Sequence, residues 1–195
     1  MDKNEVIDFF NKQAPFWDKN MIRNEEVIDR ILEYAQIEEG KDILDVACGT
    51  GVLILDYLTR NVKTVTAIDI SPEMVKIAQK KFPQKNVTII CGDVETTTFS
   101  KQFDCIMVYN AFPHFGEQRK LIEILSGLLK EGGTLTIAHG MSREQINQCH
   151  AGSASKVSLG LIDIEELAAF FEPKLQVSVK ISDNRMYQVV GVKRF

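Results

Sequence analysis

The chain has 195 residues and four cysteines, Cys48, Cys91, Cys105 and Cys149, with no CxxC pair among them. That pattern does not read as a disulfide framework. Cys91 and Cys105 fall in strand-like runs, where a buried thiol behaves as a small apolar residue, and the pattern suits a reducing compartment. No apolar run approaches the roughly 18 residues of a membrane span. The charged opening Met1-Asp2-Lys3-Asn4-Glu5 leads into no signal-type core. A cytoplasmic protein with no membrane partner is expected. Runs of Lys and Arg are also missing and the net charge is -4, so no electrostatic grip on nucleic acid is expected. Repeats, low-complexity tracts and interdomain linkers are absent too, and the length fits one domain over residues 1–195.

The residues present are ordinary for a globular core: 45% hydrophobic and 26% charged. Val6, Phe9, Phe10 and Gln13 share a helical face over residues 3–13, which Pro15 is expected to end, leaving Phe16 and Trp17 in the break. Asn24 can cap a second helix whose stripe is Val27, Ile28, Ile31, Leu32 and Ala35. From residue 41 strands and helices alternate. Strands are expected at 41–46, 63–68, 87–91, 103–109 and 134–138. Helices are expected over 50–59, from the Ser71-Pro72-Glu73 start, and around 117–129 up to Gly132-Gly133. A helix follows with a capping-box-like Asp163 and Glu166 and a stop at Pro173. Runs 175–181 and 186–193, joined by four residues, form an antiparallel pair. The expected fold is α/β, a Rossmann-like, doubly wound, mostly parallel seven-stranded sheet with that antiparallel pair at its end. It divides into N-terminal helices (1–40), a cofactor-binding core (41–140), a helix and loop on the substrate side (141–162), and a C-terminal helix and hairpin (163–195). Residues 151–160, rich in Gly and Ser, are expected to be a mobile loop.

The stretch Asp42-Ile43-Leu44-Asp45-Val46-Ala47-Cys48-Gly49-Thr50-Gly51 reads as a strand entering a glycine turn, where backbone can approach a ligand closely. A dinucleotide loop requires G-x-G-x-x-G, and Ile54 stands where its third glycine belongs. A phosphate-binding P-loop requires a Gly-Lys-Ser/Thr ending, also absent. Asp69, ending the second strand, can accept both hydroxyls of a ribose. Asp93 is placed to accept from an adenine amino group. Asp45 has no use beside a pyrophosphate but suits a ligand carrying an ammonium and a sulfonium.

On these residues the chain resembles the class I S-adenosylmethionine-dependent methyltransferases, closest in style to the small-molecule branch of ubiquinone and menaquinone biosynthesis. Asp45 to Gly51 resembles the first motif of that family, Asp69-Ile70-Ser71 with Met74 the second, and Gly92-Asp93-Val94 the third. Phe103 to Val108 resembles its fourth strand, and Leu129 to Gly133 the turn before the fifth. Residues Phe9 to Asp18, with Trp17, resemble the segment that folds over the cofactor as a lid. The resemblance implies that Asp45, Ala47, Cys48, Gly49 and Gly51 hold the methionine part of S-adenosyl-L-methionine. Asp69 would take the ribose, with Ile70, Met74, Asp93 and Val94 around the adenine and Asn110 at the end of strand four. The product would be S-adenosyl-L-homocysteine.

A sulfonium is already a good electrophile, so the protein has mainly to align a nucleophile and exclude water, with a base needed only for a protonated acceptor. The Asp/Asn-Pro-Pro-Tyr/Phe motif of amino-group methylation on nucleobases is missing. Candidate catalytic residues are His114, His139 and His150, with Arg143 as a binder of an acceptor carboxylate. Each histidine has an alternative as a hydrogen-bonded rim residue, and three imidazoles are also a common metal ligand set, although these spacings match no known signature. Phe16, Trp17, Phe112 and Phe115 could wall an apolar acceptor. With no inserted substrate domain, a small molecule is the expected partner. The rival readings are a non-catalytic cofactor sensor or partner subunit and a nicotinamide-dependent oxidoreductase. The oligomeric state has no signal.

Overall fold

A computed structural model describes residues 1–152 and 154–194. The expected loop over 151–160 therefore includes one position, Ser153, that lies outside the described residues, as does Phe195 at the end of the last segment.

Five strands run parallel: β1 (Asp42–Val46), β2 (Thr64–Asp69), β3 (Val87–Cys91), β4 (Phe103–Tyr109) and β5 (Leu129–His139). Strands β6 (Leu175–Ser182) and β7 (Tyr187–Lys193) join antiparallel, giving one sheet in the order β3-β2-β1-β4-β5-β7-β6. The strands are apolar because helices cover both faces, and their residues divide by period two. Leu44, Val46, Ile106 and Val108 enter one cluster with Leu121 and Leu125 of α5 (Gln118–Gly127) and Phe171 of α7 (Ile164–Phe171). Ile43, Val65, Cys105 and Met107 enter the other with α2 (Glu25–Tyr34) and α3 (Ile54–Thr59). The chain order reverses between β1 and β4, so their carboxyl ends flank a crevice where ligands of such sheets bind. Among the described residues no helix is long and apolar enough to cross a membrane.

Several boundaries differ from the expected ones. Helix α1 runs from Lys3 to Asn20 with Pro15 inside it, so Pro15 does not end it. An interior proline costs a helix about 3 kcal/mol or more. Here contacts on both sides of Pro15 hold the helical path. Asn11 accepts from Ser71 Oγ at 2.7 Å, Ala14 is buried, and Asp18 accepts from Thr50 and pairs with Lys81. The two N-terminal helices also divide their tasks. Helix α1 lies over the crevice, whereas α2 is a core helix whose last turn accepts hydrogen bonds from Thr134 and Gln188 of the sheet.

Helix α3 starts at Ile54 rather than 50, because Gly49 and Gly51 sit at φ +55° and +82°, outside the right-handed helix. Gly132-Gly133 does not stop α5, which ends at Gly127; both glycines lie within β5. They form a bulge: Phe103 pairs with Leu129, yet Cys105 already pairs with Thr134. A Cβ on Gly133 would stand 2.9 Å from the Asp104 carbonyl and 3.0 Å from that of Lys130, so only glycine fits. Asp163 caps α7, but the reciprocal capping box belongs to Ser142 and Gln145 at the start of α6 (Arg143–His150).

Beneath β1, β4 and β5, at the end away from the crevice, Asp42 accepts from Thr64 and Lys101 on one oxygen and from Lys130 at 3.0 Å on the other. Lys130 also donates to Asp104 at 2.8 Å, which ties the bulge to β1 and β4.

Candidate functional site

The loop after β1 is bent by Ala47, Gly49 and Gly51, all at positive φ, and Asn110 after β4 sits at φ +53°. Ala47 and Asn110 are non-glycine residues in a costly region, and both lie at the switch point, where such strain marks function. Asp69 staples the loop to β2: its two carboxylate oxygens accept from Gly49 N and Ser71 N, each at 2.8 Å. Both bonds use backbone donors, and each oxygen keeps a further lone pair for a ligand hydroxyl.

One cavity opens at these strand ends. Its wall includes Trp17, Asp45, Ala47, Cys48, Gly49, Asp69, Ile70, Met74, Asp93, Val94 and Asn110. Every expected cofactor residue but one lines it. The exception is Gly51: a Cβ there would meet Phe82 at 2.7 Å, so its glycine serves close packing rather than ligand contact. Helix α1 supplies the roof with Lys3, Val6, Phe10 and Trp17. Lys3 latches this roof to Asp93 and Glu95 at the far end of the crevice.

Asp45 is fully buried and no salt bridge reaches it among the described residues. Burial pushes its carboxyl up to about 8, the nearby Asp69 and Asp56 carboxylates add to the rise, and the Tyr57 hydroxyl opposes it. Asp69 is raised as well, by burial, against the two backbone N–H groups that favour its charge. The cavity therefore presents a buried carboxyl group with no cationic partner among the described residues, beside a left-handed glycine loop. Gly49 leaves open space: a Cβ there would reach only Trp17 Nε1, at 3.8 Å.

The three histidines do gather, in unequal roles. His114 lines the same cavity, at the end of the 3-10 turn Phe112–His114. Its Nδ1 lies 2.6 Å from the Val157 carbonyl. A carbonyl only accepts, so Nδ1 carries the proton and Nε2 keeps a free lone pair. Burial holds His114 down at about 4, with the Val157 bond opposing and His150 assisting, so the ring is neutral at neutral pH. His150 stacks at a tilt with ring centroids 5.0 Å apart, and its Nδ1 meets Ser158 Oγ at 2.7 Å. His150 does not line the cavity.

His139 is fully buried, off the cavity wall, with both ring nitrogens unpartnered, and burial lowers it to about 3. It is placed against Tyr187 in the core, out of reach of an acceptor. Arg143 is corrected too: its Nε donates to the Leu161 carbonyl at 2.9 Å and it faces Asp163, not the cavity. Among the described residues no three His, Cys, Asp or Glu are grouped to hold a metal ion. Of the aromatic wall, Trp17 and Phe115 are on the cavity, while Phe112 is buried in the core and Phe16 is 57% exposed. Phe16 faces solvent because α1 continues through Pro15 and turns it about 100° from Trp17. Phe10 takes its place, packed edge-on against both Trp17 and His114.

Residues 43–133 match the family model described as a methyltransferase domain. The malonyl-[acyl-carrier protein] O-methyltransferase of Priestia megaterium is 30% identical over 145 residues, covering 68% of this chain and 53% of that protein. The chain carries a methyltransferase domain similar to those of the class I S-adenosylmethionine-dependent family. A ubiquinone biosynthesis O-methyltransferase of Coxiella burnetii is 28% identical over 143 residues, covering 69% of this chain and 61% of that one. The chain thus spans between about half and three fifths of the length of these curated relatives. The N-methyltransferase NodS of Bradyrhizobium japonicum, solved with S-adenosyl-L-homocysteine, superposes with a TM-score of 0.75 at 12% identity, covering 97% of each chain. That likeness confirms the Rossmann-like sheet of this chain.

Two features of the cavity had no signal in sequence. The Val157 carbonyl, 43 residues beyond His114, is backbone and leaves no residue type to read. Lys3 looked like one more charge on an exposed helix, and its partners lie about 90 residues away.

Proposed function

We propose that this chain transfers the methyl group of S-adenosyl-L-methionine to a small, largely apolar acceptor that carries a protonated nucleophile such as a hydroxyl, leaving S-adenosyl-L-homocysteine. The observation that carries this reading is His114. A neutral imidazole with a free Nε2 stands on the wall of the same cavity as the Asp45, Asp69 and Asp93 carboxylates. When bound, the donor supplies a methyl group on a sulfonium with a neutral leaving group. Asp45 and the 47–49 backbone would hold its methionine part, Asp69 the ribose, and Asp93 with Ile70, Met74 and Val94 the adenine.

The remaining work falls to the chain. Helix α1 roofs the cavity and excludes water, the condition under which a positioned nucleophile gains most. Phe10 and Phe115 supply apolar walls beside His114. His114 Nε2 takes the acceptor proton, a role its lowered pKa permits at neutral pH because the base form prevails. Among the described residues Lys3 is the one Lys or Arg side chain on the cavity wall, and it is committed to Asp93 and Glu95, so an acidic acceptor is disfavoured. Both curated relatives are named O-methyltransferases, which agrees with an oxygen nucleophile.

Calorimetry with S-adenosyl-L-homocysteine and with NAD, followed by a screen of hydroxyl acceptors with methyl-labelled donor, tests the reading. His114→Ala should keep homocysteine-product affinity and lose about 10²–10⁴-fold in transfer, the range of general-base catalysis. Tight NAD binding without a response to S-adenosyl-L-homocysteine would overturn it. Cofactor binding with transfer to no acceptor would leave a sensor instead.

A further inference from the structure

Val157 belongs to a segment without helix or strand, residues 157–163, so something else must hold its carbonyl against His114. The side chains that do so come from α6. Asn147 clasps Leu161 from both sides of its peptide group, with Oδ1 accepting from Leu161 N at 2.6 Å and Nδ2 donating to Leu161 O at 3.1 Å. Arg143 Nε donates to the same carbonyl. Between Val157 and Leu161 the segment is pinned twice more: Leu159 N donates to Pro113 O at 2.9 Å, and Ser158 Oγ meets His150 Nδ1 at 2.7 Å. Gly160 at φ +76° makes the turn that aims Leu161 N at Asn147, and a Cβ there would stand 3.3 Å from Asn147 Oδ1.

We propose that Asn147, supported by Arg143, is a positioning residue: by clasping Leu161 it fixes the 157–161 segment, and the Val157 carbonyl then keeps the proton of His114 on Nδ1 and Nε2 free for the acceptor. This rests on the base role of His114 proposed above. The clasp is a bidentate side-chain contact to backbone, which sets orientation as well as proximity. Neither Asn147 nor Arg143 lines the cavity, so their influence on the site passes through the segment.

The titratable groups around His114 are His150 from α6 and His139 from β5, while α1 presents Phe10; Lys3, Asp93 and Glu117 stand on the wall of the shared cavity. Removing the clasp loosens the segment that buries the ring. The Val157 carbonyl then no longer fixes the proton on Nδ1, and both tautomers of the neutral ring are populated.

The test is nitrogen NMR of the full chain labelled on histidine, which reports the tautomer and titration midpoint of each ring. Native His114 should be protonated on Nδ1 alone and titrate near 4. Asn147→Ala should show both tautomers of the neutral ring, with S-adenosyl-L-homocysteine affinity within about twofold. Asn147→Asp, which still accepts from Leu161 N beside Arg143, should return most of the native tautomer. Gly160→Ala crowds the clasp from the opposite side and repeats the experiment should Asn147→Ala fail to fold. A merely structural role would lower melting temperature while leaving the tautomer in place. A native ring protonated on Nε2 would overturn the base role and this inference with it. A native Nδ1 tautomer unchanged in both Asn147→Ala and Gly160→Ala would overturn the positioning role alone.

Discussion

Asp45 makes cofactor binding depend on pH in a way that ordinary surface carboxylates cannot. Its folded carboxyl titrates near 8 because it is buried without a cation, against about 3.9 in an unfolded chain. Between those values the native state binds more protons than the unfolded one, so the free protein loses stability as pH rises through that window. A ligand ammonium placed beside Asp45 favours its ionised form, and binding below pH 8 must then release a proton. At pH 6 about 1% of Asp45 is ionised and at pH 8 about half, so affinity for S-adenosyl-L-homocysteine should rise about 50-fold between them. Calorimetry in two buffers of different ionisation enthalpy should count close to one proton released at pH 6.5 and almost none at pH 9. Asp45→Asn should abolish the slope and weaken binding at pH 8 by about 10–150-fold, the worth of one charge-assisted hydrogen bond of about 1.5–3 kcal/mol. Native affinity that stays flat from pH 6 to pH 8, or a slope that survives in Asp45→Asn, would refute the assignment.

Gly133→Ala should destabilise the fold by about 1–3 kcal/mol, because its methyl group would be forced against two carbonyls in the β5 bulge; thermal melts with and without the variant measure it. Asp42→Asn should lower stability most near neutral pH and progressively less in acid. Burial alone would raise Asp42, but the Thr64 hydroxyl and the Lys101 and Lys130 ammonium groups outweigh it and hold the carboxyl well below the usual range. Its contribution is thus fully present above about pH 4 and is lost as pH falls towards the lowered folded value, and urea titrations from pH 3 to pH 7 should show a constant gap between native and variant chains near neutrality that begins to shrink at the acid end. Lys3→Ala should remove the latch between α1 and the Asp93 loop. It should speed hydrogen exchange in the first turns of α1, with little change in melting temperature, since exposed ion pairs contribute about 0–1 kcal/mol.

The core of the fold was readable because its signals are local. Ser71-Pro72-Glu73 carries its own helix start, and Ser71 does cap α4 (Pro72–Lys81) through Met74 N. The strands were readable from unbroken apolar runs, and Asp45, Asp69 and Asp93 from their places at strand ends. Where local rules failed, a long-range contact decided. Pro15 reads as a helix stop in any window of ten residues, and only Ser71, Thr50 and Lys81, far along the chain, keep α1 helical beyond it. Gly132-Gly133 reads as a helix end, yet the pairing of β4 with β5 makes it a bulge. Arg143 reads as a binder of an acceptor carboxylate, but its partner, shared with Asn147, is the Leu161 backbone. The histidines drew attention equally, and burial separates them: only His114 reaches the cavity.

A crystal structure of the chain with S-adenosyl-L-homocysteine tests the central claim most directly. The account predicts the amino group against Asp45, the ribose hydroxyls on Asp69, the adenine beside Asp93 and Val94, and His114 Nε2 facing the sulfur across the part of the cavity lined by Phe10 and Phe115. A product bound elsewhere, or a His114 turned away from the sulfur with Nε2 held by the protein, would contradict it.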